Sequence, residues 1–391
     1  MSWPVVKLSD VAIVNPRLSK DADEHQQVSF VAMASASDEG FLLSEESRVL
    51  RETKKGFTYF DAGDVLLAKI TPCFENGKCL RPNQITNKIG FGSTEFHVLR
   101  AIPDKIDCTY LFYLLWNDKF RSLGEASMSG AAGQKRVSAD FLRDFEIPLP
   151  PLEEQKRIAA ILDKADAIRR KRQQAIKLAD DFLRSVFLEM FGDPVTNPKG
   201  WDVKRLSDFT CITTGNTPSR AEPKYYGDYI EWIKSDNINT PSHFLTKATE
   251  YLSLDGYNVS RTVPAGSTLV TCIAGSFDCI GNAAYTDREV AFNQQINALT
   301  PKDGINSWFL YALILLSKKA IQAASTNSMK GMLSKGRMEE IELIVPDCIY
   351  QEKFGQIFSR YLALTKSLET TLDFCGDLFN SSSKRAFQGN L

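Results

Sequence analysis

The segment that most constrains this fold runs from Leu152 to Phe191, because these 40 residues contain neither glycine nor proline. Three prolines precede the segment, and the last of them, Pro151, suits the first turn of a helix, where no backbone N–H is needed. Gly192 and Pro194 then provide a stop signal. The sequence therefore predicts one uninterrupted helix of roughly 60 Å, which is longer than a small domain is wide.

Apolar positions in this segment recur at alternating steps of three and four, the spacing of a heptad seam. The first seam comprises Ile158, Ile161, Ala165, Ile168, Arg172, Ala175, Ala179, Phe182 and Val186. A second seam lies 196 residues later and comprises Phe354, Ile357, Tyr361, Leu364, Leu368, Thr371, Cys375 and Leu378. Either helix alone could be an amphipathic surface helix, but the duplication favours two helices that pair as a coiled coil.

The rest of the chain carries the same internal repeat. The phrase W-P-V-V-K-L-S-D-V begins at Trp3, and W-D-V-K-R-L-S-D-F begins at Trp201. Likewise F-G-S-T-E-F-H-V-L at 91–99 matches A-F-N-Q-Q-I-N-A-L at 291–299, and Gln155 matches Gln351. We therefore predict a first α/β module at 1–150, a long helix at 151–192, a second module at 193–346 and a second long helix at 347–391.

Composition narrows the class of protein. The longest apolar run, Trp308 to Leu316, is too short to cross a bilayer, so we expect a cytoplasmic protein without membrane segments. The eight cysteines include no C-x-x-C pair and are expected to be reduced thiols rather than disulfides or metal ligands. The net charge of −1 argues against indiscriminate coating of nucleic acid, so any DNA contact must use a local patch.

Catalytic motifs are missing from the sequence. It contains no phosphate-binding G-x-x-x-x-G-K-[ST] loop, no G-x-S-x-G elbow and no H-E-x-x-H. The N-P-P-[YF] or D-P-P-[YF] motif that grips a flipped base in methyltransferases is also absent. We interpret the chain as non-catalytic, with no metal site and no bound cofactor of its own.

The loops of both modules carry polar and basic side chains near aromatic ones, which is the chemistry of base-edge and phosphate contacts. Each of these residues could also be a plain solvated loop residue. In the first module the candidates are Lys69, Thr71, Asn76, Lys78, Arg81, Gln134, Lys135 and Arg136. In the second module they are Thr217, Ser219, Arg220, Lys224, Tyr225, Tyr226, Lys234, Asn237, Asn293, Gln294, Gln295, Asn327, Lys330 and Lys335.

Several phrases, in this order along the chain, resemble the specificity subunit of Type I restriction-modification enzymes. They are L-A-K-I-T-P-C-F-E-N-G-K, I-P-L-P-P-L-E-E-Q-K-R-I-A-A-I-L-D, G-N-T-P-S-R-A-E-P-K-Y-Y-G-D-Y-I-E-W-I-K-S-D-N-I and F-N-Q-Q-I-N-A-L. The resemblance implies an α/β (α+β) protein with two similar target-recognition domains separated by a long antiparallel two-helix coiled coil. Each domain would read one half of an asymmetric bipartite site in double-stranded DNA.

The resemblance also implies partners. The helices would set the spacing of the half-sites and dock two methyltransferase subunits, through which restriction/translocase subunits join. S-adenosylmethionine would belong to the methyltransferase, and ATP and Mg²⁺ to the nuclease. The candidates for partner contact flank the first seam and are Glu153, Gln155, Arg157, Arg169 and Arg170. The second helix departs from the family pattern, since it begins P-D-C-I-Y-Q-E-K-F rather than P-P-L-x-E-Q.

Two other functions remain open on the sequence alone. The first is an interaction protein whose modules bind other proteins and whose coiled coil is a spacer. The second is an enzyme, either a fused methyltransferase or a nuclease. The missing motif argues against a methyltransferase, whereas the carboxylates of a nuclease are too loosely patterned to be excluded from sequence.

Overall fold

A computed structural model describes residues 3–81, 83–131, 133–326 and 331–386. The chain forms two compact units: unit 1 consists of Met1–Gln173 and Thr370–Leu391, and unit 2 of Gln174–Glu369. Each unit therefore contains one module and a part of each long helix. The sequence prediction treated each long helix as a separate segment. In the structure, each long helix contributes one part to unit 1 and another part to unit 2.

Unit 1 is built from short strands and helices. They are β1 (Val5–Lys7), α1 (Leu8–Val11), β2 (Ala12–Val14), β3 (Gln27–Val31), β4 (Glu46–Val49), α2 (Leu50–Thr53), β5 (Thr58–Asp61), β6 (Val65–Ala68), β7 (Cys79–Leu80), β8 (Ile89–Gly92), β9 (Phe96–Ala101), α3 (Cys108–Leu115), α4 (Asp118–Ser127), α5 (Ala139–Asp144), β10 (Glu146–Pro148) and the long α6 (Leu152–Phe191).

Unit 2 repeats this order after α6 has crossed into it. Its elements are β11 (Val203–Arg205), α7 (Leu206–Phe209), β12 (Thr210–Thr214), β13 (Tyr226–Ile233), β14 (Tyr251–Leu252), α8 (Leu254–Val259), β15 (Thr262–Val263), β16 (Thr268–Thr271), β17 (Ala283–Tyr285), β18 (Val290–Phe292), β19 (Ile296–Pro301), α9 (Ser307–Leu316), α10 (Lys318–Ala323), α11 (Lys335–Glu339), β20 (Glu342–Ile344) and α12 (Cys348–Ala386).

The sheets of the two units have the same topology. The order β4-β3-β8-β5 in unit 1 matches β14-β13-β18-β15 in unit 2, and β2-β9-β6-β7 matches β12-β19-β16-β17. In each unit one pair of strands is parallel, β3 with β8 and β13 with β18. A two-stranded ribbon closes each module where its first strand pairs with its last, β1 with β10 and β11 with β20. The predicted α/β (α+β) class and the internal repeat are thus confirmed.

A short apolar helix forms the centre of each core, α3 in unit 1 and α9 in unit 2. Each helix begins at a capping side chain that accepts two backbone N–H bonds. Asp107 caps α3 by accepting from Thr109 and Tyr110, and Asn306 caps α9 in the same way. Such caps satisfy N–H groups that a helix start leaves unpaired, and they fix where the helix begins.

A buried glutamine joins each long helix to its module. Gln155 is 1% exposed; its Oε1 accepts from the N–H of Asp107, and its Nε2 donates to the carbonyls of Lys105 and Pro150. Gln351, also 1% exposed, likewise accepts from the N–H of Asn306 and donates to the carbonyl of Pro346.

The two long helices pack against each other in unit 2, and their direction there is antiparallel. The rings of Phe187 and Phe191 on α6 lie 5.3 and 5.7 Å from that of Phe354 on α12. Further along, Tyr361 of α12 donates a hydrogen bond to Asp180 of α6. Residue numbers fall along α6 as they rise along α12, which confirms the antiparallel direction within this unit.

A partly buried polar network extends this contact into the module of unit 2. The two ring nitrogens of His243 lie 3.0 Å from the hydroxyl of Tyr311 and 2.8 Å from that of Tyr361. Burial lowers the pKa of His243, although the Asp180 carboxylate acts in the opposite direction. The neutral imidazole thus connects α9 with the long helices.

The predicted seam is only partly correct. Ile168, Phe182 and Leu364 are 48%, 63% and 56% exposed. Ile158 of the predicted seam is buried, as are Phe354 and Tyr361 of the second seam. The other buried positions of α6 are Gln155, Ala159, Leu162, Asp166, Leu183, Phe187 and Phe191. Apolar residues form more than one stripe on α6, and the module cores bury the stripe that faces them rather than the one with the best heptad spacing. The seam positions Cys375 and Leu378 lie outside the described side chains.

Across the described part of the chain, no helix combines the length and the apolar character that crossing a membrane requires.

We expect Gln155→Ala and Gln351→Ala each to lower the free energy of unfolding by about 2–3 kcal/mol, because each leaves buried backbone groups without partners. Urea unfolding of the purified chain measures the effect. Gln174→Ala, at an exposed position of α6, is the matched control and should change stability by no more than about 0.5 kcal/mol. An unchanged unfolding midpoint in both buried variants would contradict the anchoring role.

Candidate DNA interface and partner surface

Three loops meet at one edge of the unit 1 sheet, where β6 ends and β9 begins. The N–H of Lys69 donates to the carbonyl of Glu95 (2.9 Å), and the N–H of Val137 donates to the carbonyl of Lys69 (2.9 Å). The N–H of Thr71 donates to the carbonyl of Lys135 (3.0 Å). The fold therefore brings Lys69, Thr71, Gln134, Lys135 and Arg136 together, as members of one surface that we call the sheet-edge site of unit 1.

Arg136 is the cation of this site whose side chain makes three hydrogen bonds within unit 1. Its Nε and Nη2 donate to the two carboxylate oxygens of Glu95, both at 2.9 Å, and its Nη1 donates to the carbonyl of Gln134 at 3.0 Å. The hydrogen bond from Arg136 lowers the pKa of Glu95, so the carboxylate stays ionised. Such a bidentate pair fixes the plane of the guanidinium.

Unit 2 has an equivalent sheet-edge site. The N–H of Cys272 donates to the carbonyl of Gln295 (2.8 Å), and that of Leu333 donates to the carbonyl of Cys272 (2.9 Å). Gln295 accepts a hydrogen bond from the Asn293 amide at 3.1 Å. The neighbouring Gln294 accepts one from the hydroxyl of Thr217. The candidates Thr217, Asn293, Gln294 and Gln295 are thus brought together, although Asn293 is itself buried.

A second group in unit 2 combines cations with aromatic rings. Arg220 and Lys234 both pair with Glu250, at 2.7 and 2.9 Å. The guanidinium of Arg220 lies 4.4 Å from the ring centre of Tyr226, and the ammonium of Lys234 lies 5.3 Å from that of Trp232. The hydrogen bond from Arg220, with help from Lys234, lowers the pKa of Glu250. Two cations against one carboxylate leave a net positive, partly exposed surface suited to phosphate contact.

Some candidates are engaged inside their own unit. Arg81 bridges the module to α6, with 2.8 Å to Asp163 and 2.9 Å to Asp166, and its side chain is 13% exposed. Asn237 is buried and donates to the carbonyl of Lys247 at 3.0 Å. Both side chains hold the fold together, so they drop out of the DNA-contact set.

The remaining candidates are more dispersed. Asn76 and Ser219 are exposed on loops, and Lys78 donates to the carbonyl of Met33 at 3.2 Å. Lys224 lies 5.4 Å from the ring of Tyr225, and Lys335 pairs with Glu339 at 3.6 Å. Asn327 and Lys330 lie outside the described residues.

The candidates for partner contact on α6 divide in the same way. Glu153 and Arg157 lie at exposed positions near the start of α6. Each forms a salt bridge within the helix, Glu153 with Lys156 (2.9 Å) and Arg157 with Glu154 (2.7 Å).

Gln155, Arg169 and Arg170 are instead used inside unit 1. Arg169 and Arg170 both bond to the buried carboxylate of Asp166, at 2.9 and 3.1 Å. Arg170 also lies 4.1 Å from the ring centre of Phe41. Gln155 and Arg169 are thus engaged within unit 1, and Arg170 stays 36% exposed beside them.

Sequence reasoning missed the acidic residues that hold the cations, Glu95 and Glu250. A carboxylate beside DNA is unfavourable unless it is paired, and the sequence does not show which cation pairs with it. One signal was available for Glu95, because it stands in a motif whose counterpart carries Gln295.

Comparison with known proteins agrees with this architecture. The family described as "Type I restriction modification DNA specificity domain" matches residues 1–178 and again 198–373, which is most of the chain. The chain belongs to this specificity family. Its two matches coincide with the two repeats.

Among curated relatives, the specificity subunits of the Type I restriction enzymes EcoEI and EcoAI from Escherichia coli are 39% and 42% identical to this chain in the aligned region. The alignments cover 163 and 158 residues, or 41% and 40% of this chain. They cover 27% and 26% of the relatives, so the chain spans about a quarter of their length.

Solved structures share the fold along the whole chain. A chain from work on complex assembly and conformational transition of the type I R-M system aligns over 100% of this chain and 98% of its own length, with a TM-score of 0.59 and 19% identity. The S subunit of the Type I system of M. genitalium aligns over 99% and 96%, with a TM-score of 0.58 and 15% identity. At these identities the likeness concerns the fold alone.

Proposed function

We propose that this chain is the non-catalytic DNA-specificity subunit of a Type I restriction-modification complex. Each module reads one half of an asymmetric bipartite site in double-stranded DNA, and the long helices set the distance between the half-sites. The observation that carries this proposal is the pair of sheet-edge sites, which share one backbone frame and differ in side chains. A shared frame with different loops suits two readers of two sequences.

The proposal includes partners and cofactors. Two methyltransferase subunits bind this chain and supply S-adenosylmethionine and the reaction, and restriction/translocase subunits bring ATP and Mg²⁺. With a net charge of −1, the chain needs these partners to neutralise many of the DNA phosphates. The specificity of the complex then rests on the base contacts of the two modules.

We expect cells that express this chain with its methyltransferase subunits to carry methylated adenines in one asymmetric, bipartite motif with a fixed gap. Methylation-sensitive sequencing of the host genome identifies the motif directly. Cells that express the methyltransferase subunits alone are the control and should lack it. A motif that persists without this chain, or one without a gap, would rule out the proposed role.

The docking surface for the methyltransferase is proposed on the part of α6 that lies in unit 2. Leu178 and Phe182 are 60% and 63% exposed there, and they are neighbours on one helix face because they are four residues apart. Two large apolar side chains exposed side by side on a helix mark an interaction surface more often than isolated ones do. This apolar pair lies on a helix rather than on the loops proposed to contact DNA.

We expect Phe182→Glu to reduce co-purification with the methyltransferase subunits at least tenfold, since it buries a carboxylate in an apolar contact. Thermal unfolding of the isolated chain should change little, because Phe182 is exposed in it. The matched control is Leu254→Glu on α8, where the leucine is 54% exposed. Equal co-purification of the two variants would place the docking surface elsewhere.

A further inference from the structure

Some N–H groups of the Arg136 side chain donate to the protein itself, and the others remain available to a ligand. A guanidinium has five N–H donors in a planar fork. Three of them are used at the sheet-edge site of unit 1, by the two oxygens of Glu95 and by the carbonyl of Gln134. The other two, one on Nη1 and one on Nη2, have no partner within the described ranges.

Exposure and charge suit this outer edge for a ligand. The Arg136 side chain is 42% exposed, whereas that of Glu95 is 27% exposed. The carboxylate balances the charge of the arginine, so the pair as a whole attracts phosphate only weakly. What remains is two N–H donors in the fixed plane of the guanidinium, which is a geometric rather than an electrostatic recognition element.

The equivalent position in unit 2 lacks this element. Arg136 donates its N–H to the carbonyl of Ser129 and accepts from Ser129 in return, while Met332 accepts from the N–H of Thr326 at the same place in the repeat. Ile70 pairs with Arg136 as Ile273 pairs with Met332. The Glu95–Arg136 pair therefore distinguishes one module from the other.

We infer that Arg136, oriented by Glu95, reads a guanine in the half-site of the first module by donating two hydrogen bonds to its O6 and N7 atoms. Guanine alone presents this pair of acceptors on one base in the major groove, and a bidentate arginine matches them. The inference rests on the proposed function, because it assigns a base to one of the two proposed half-sites.

The test uses the complex of the full chain with its methyltransferase subunits. Arg136→Ala and Arg136→Lys should each lose preference for one guanine in one half-site by roughly 5- to 150-fold, and the other half-site should stay unchanged. Lysine keeps the charge but has no fork, so it should not rescue the preference. Lys135→Ala is the matched control: it removes an exposed neighbouring charge, so it should weaken binding to all sequences alike and reduce the salt dependence of binding, without changing the motif.

A second measurement changes the DNA instead of the protein. Duplexes in which 7-deazaguanine replaces each guanine of the half-site in turn lack the N7 acceptor but keep base pairing. The wild-type complex should bind one of these duplexes several-fold more weakly, and the Arg136→Lys complex should not distinguish it from the unmodified duplex. This measurement decides the question even if Arg136→Ala fails to assemble.

The possible outcomes separate the two levels of the proposal. A wild-type complex that methylates a bipartite motif while both Arg136 variants keep the same guanine preference overturns the inference and leaves the proposed function intact. A bipartite motif with no guanine in either half-site also overturns the inference and leaves the proposed function intact. A wild-type complex without any bipartite motif removes the proposed function, and the assignment of Arg136 with it.

Discussion

The fold depends on how each module is joined to a long helix, and in each unit one buried glutamine makes this connection. The Gln155 and Gln351 amides are buried, and each bonds to backbone groups at the start of the core helix and at the end of the last strand. Since a buried amide is costly unless all its groups are paired, these bonds fix one position of the helix relative to its module. The loops proposed to contact DNA are thereby positioned with respect to the long helix.

On this common frame the two sheet edges differ in chemistry. Unit 1 has a charged pair, Glu95 with Arg136, where unit 2 has the neutral Gln295 and Met332. Away from its sheet edge, unit 2 also has two cations, Arg220 and Lys234, that pair with the one carboxylate of Glu250. Two of the backbone hydrogen bonds that hold the edge recur in both units, so side chains can change there without a change of fold.

Much of this could be predicted from the sequence, because long-range patterns survive in a single chain. The 40-residue span of α6, the repeat and the pairing of Gln155 with Gln351 were readable from spacing alone. The buried face of α6 was not, since heptad spacing marks apolar stripes but not which neighbour covers them: Phe182 is exposed and Leu183 is buried. Likewise Arg81 and Arg169 look like DNA or partner contacts in sequence, and only the fold shows that both meet Asp166.

The central claim is that the two modules read DNA independently on a shared scaffold. Replacing residues 201–346 with the corresponding module of a relative of known, different specificity tests this most directly, with the methylated motif of the complex as the readout. The account predicts that one half of the motif changes to that of the relative, while the other half and the gap between them stay the same. A change in both halves would contradict it.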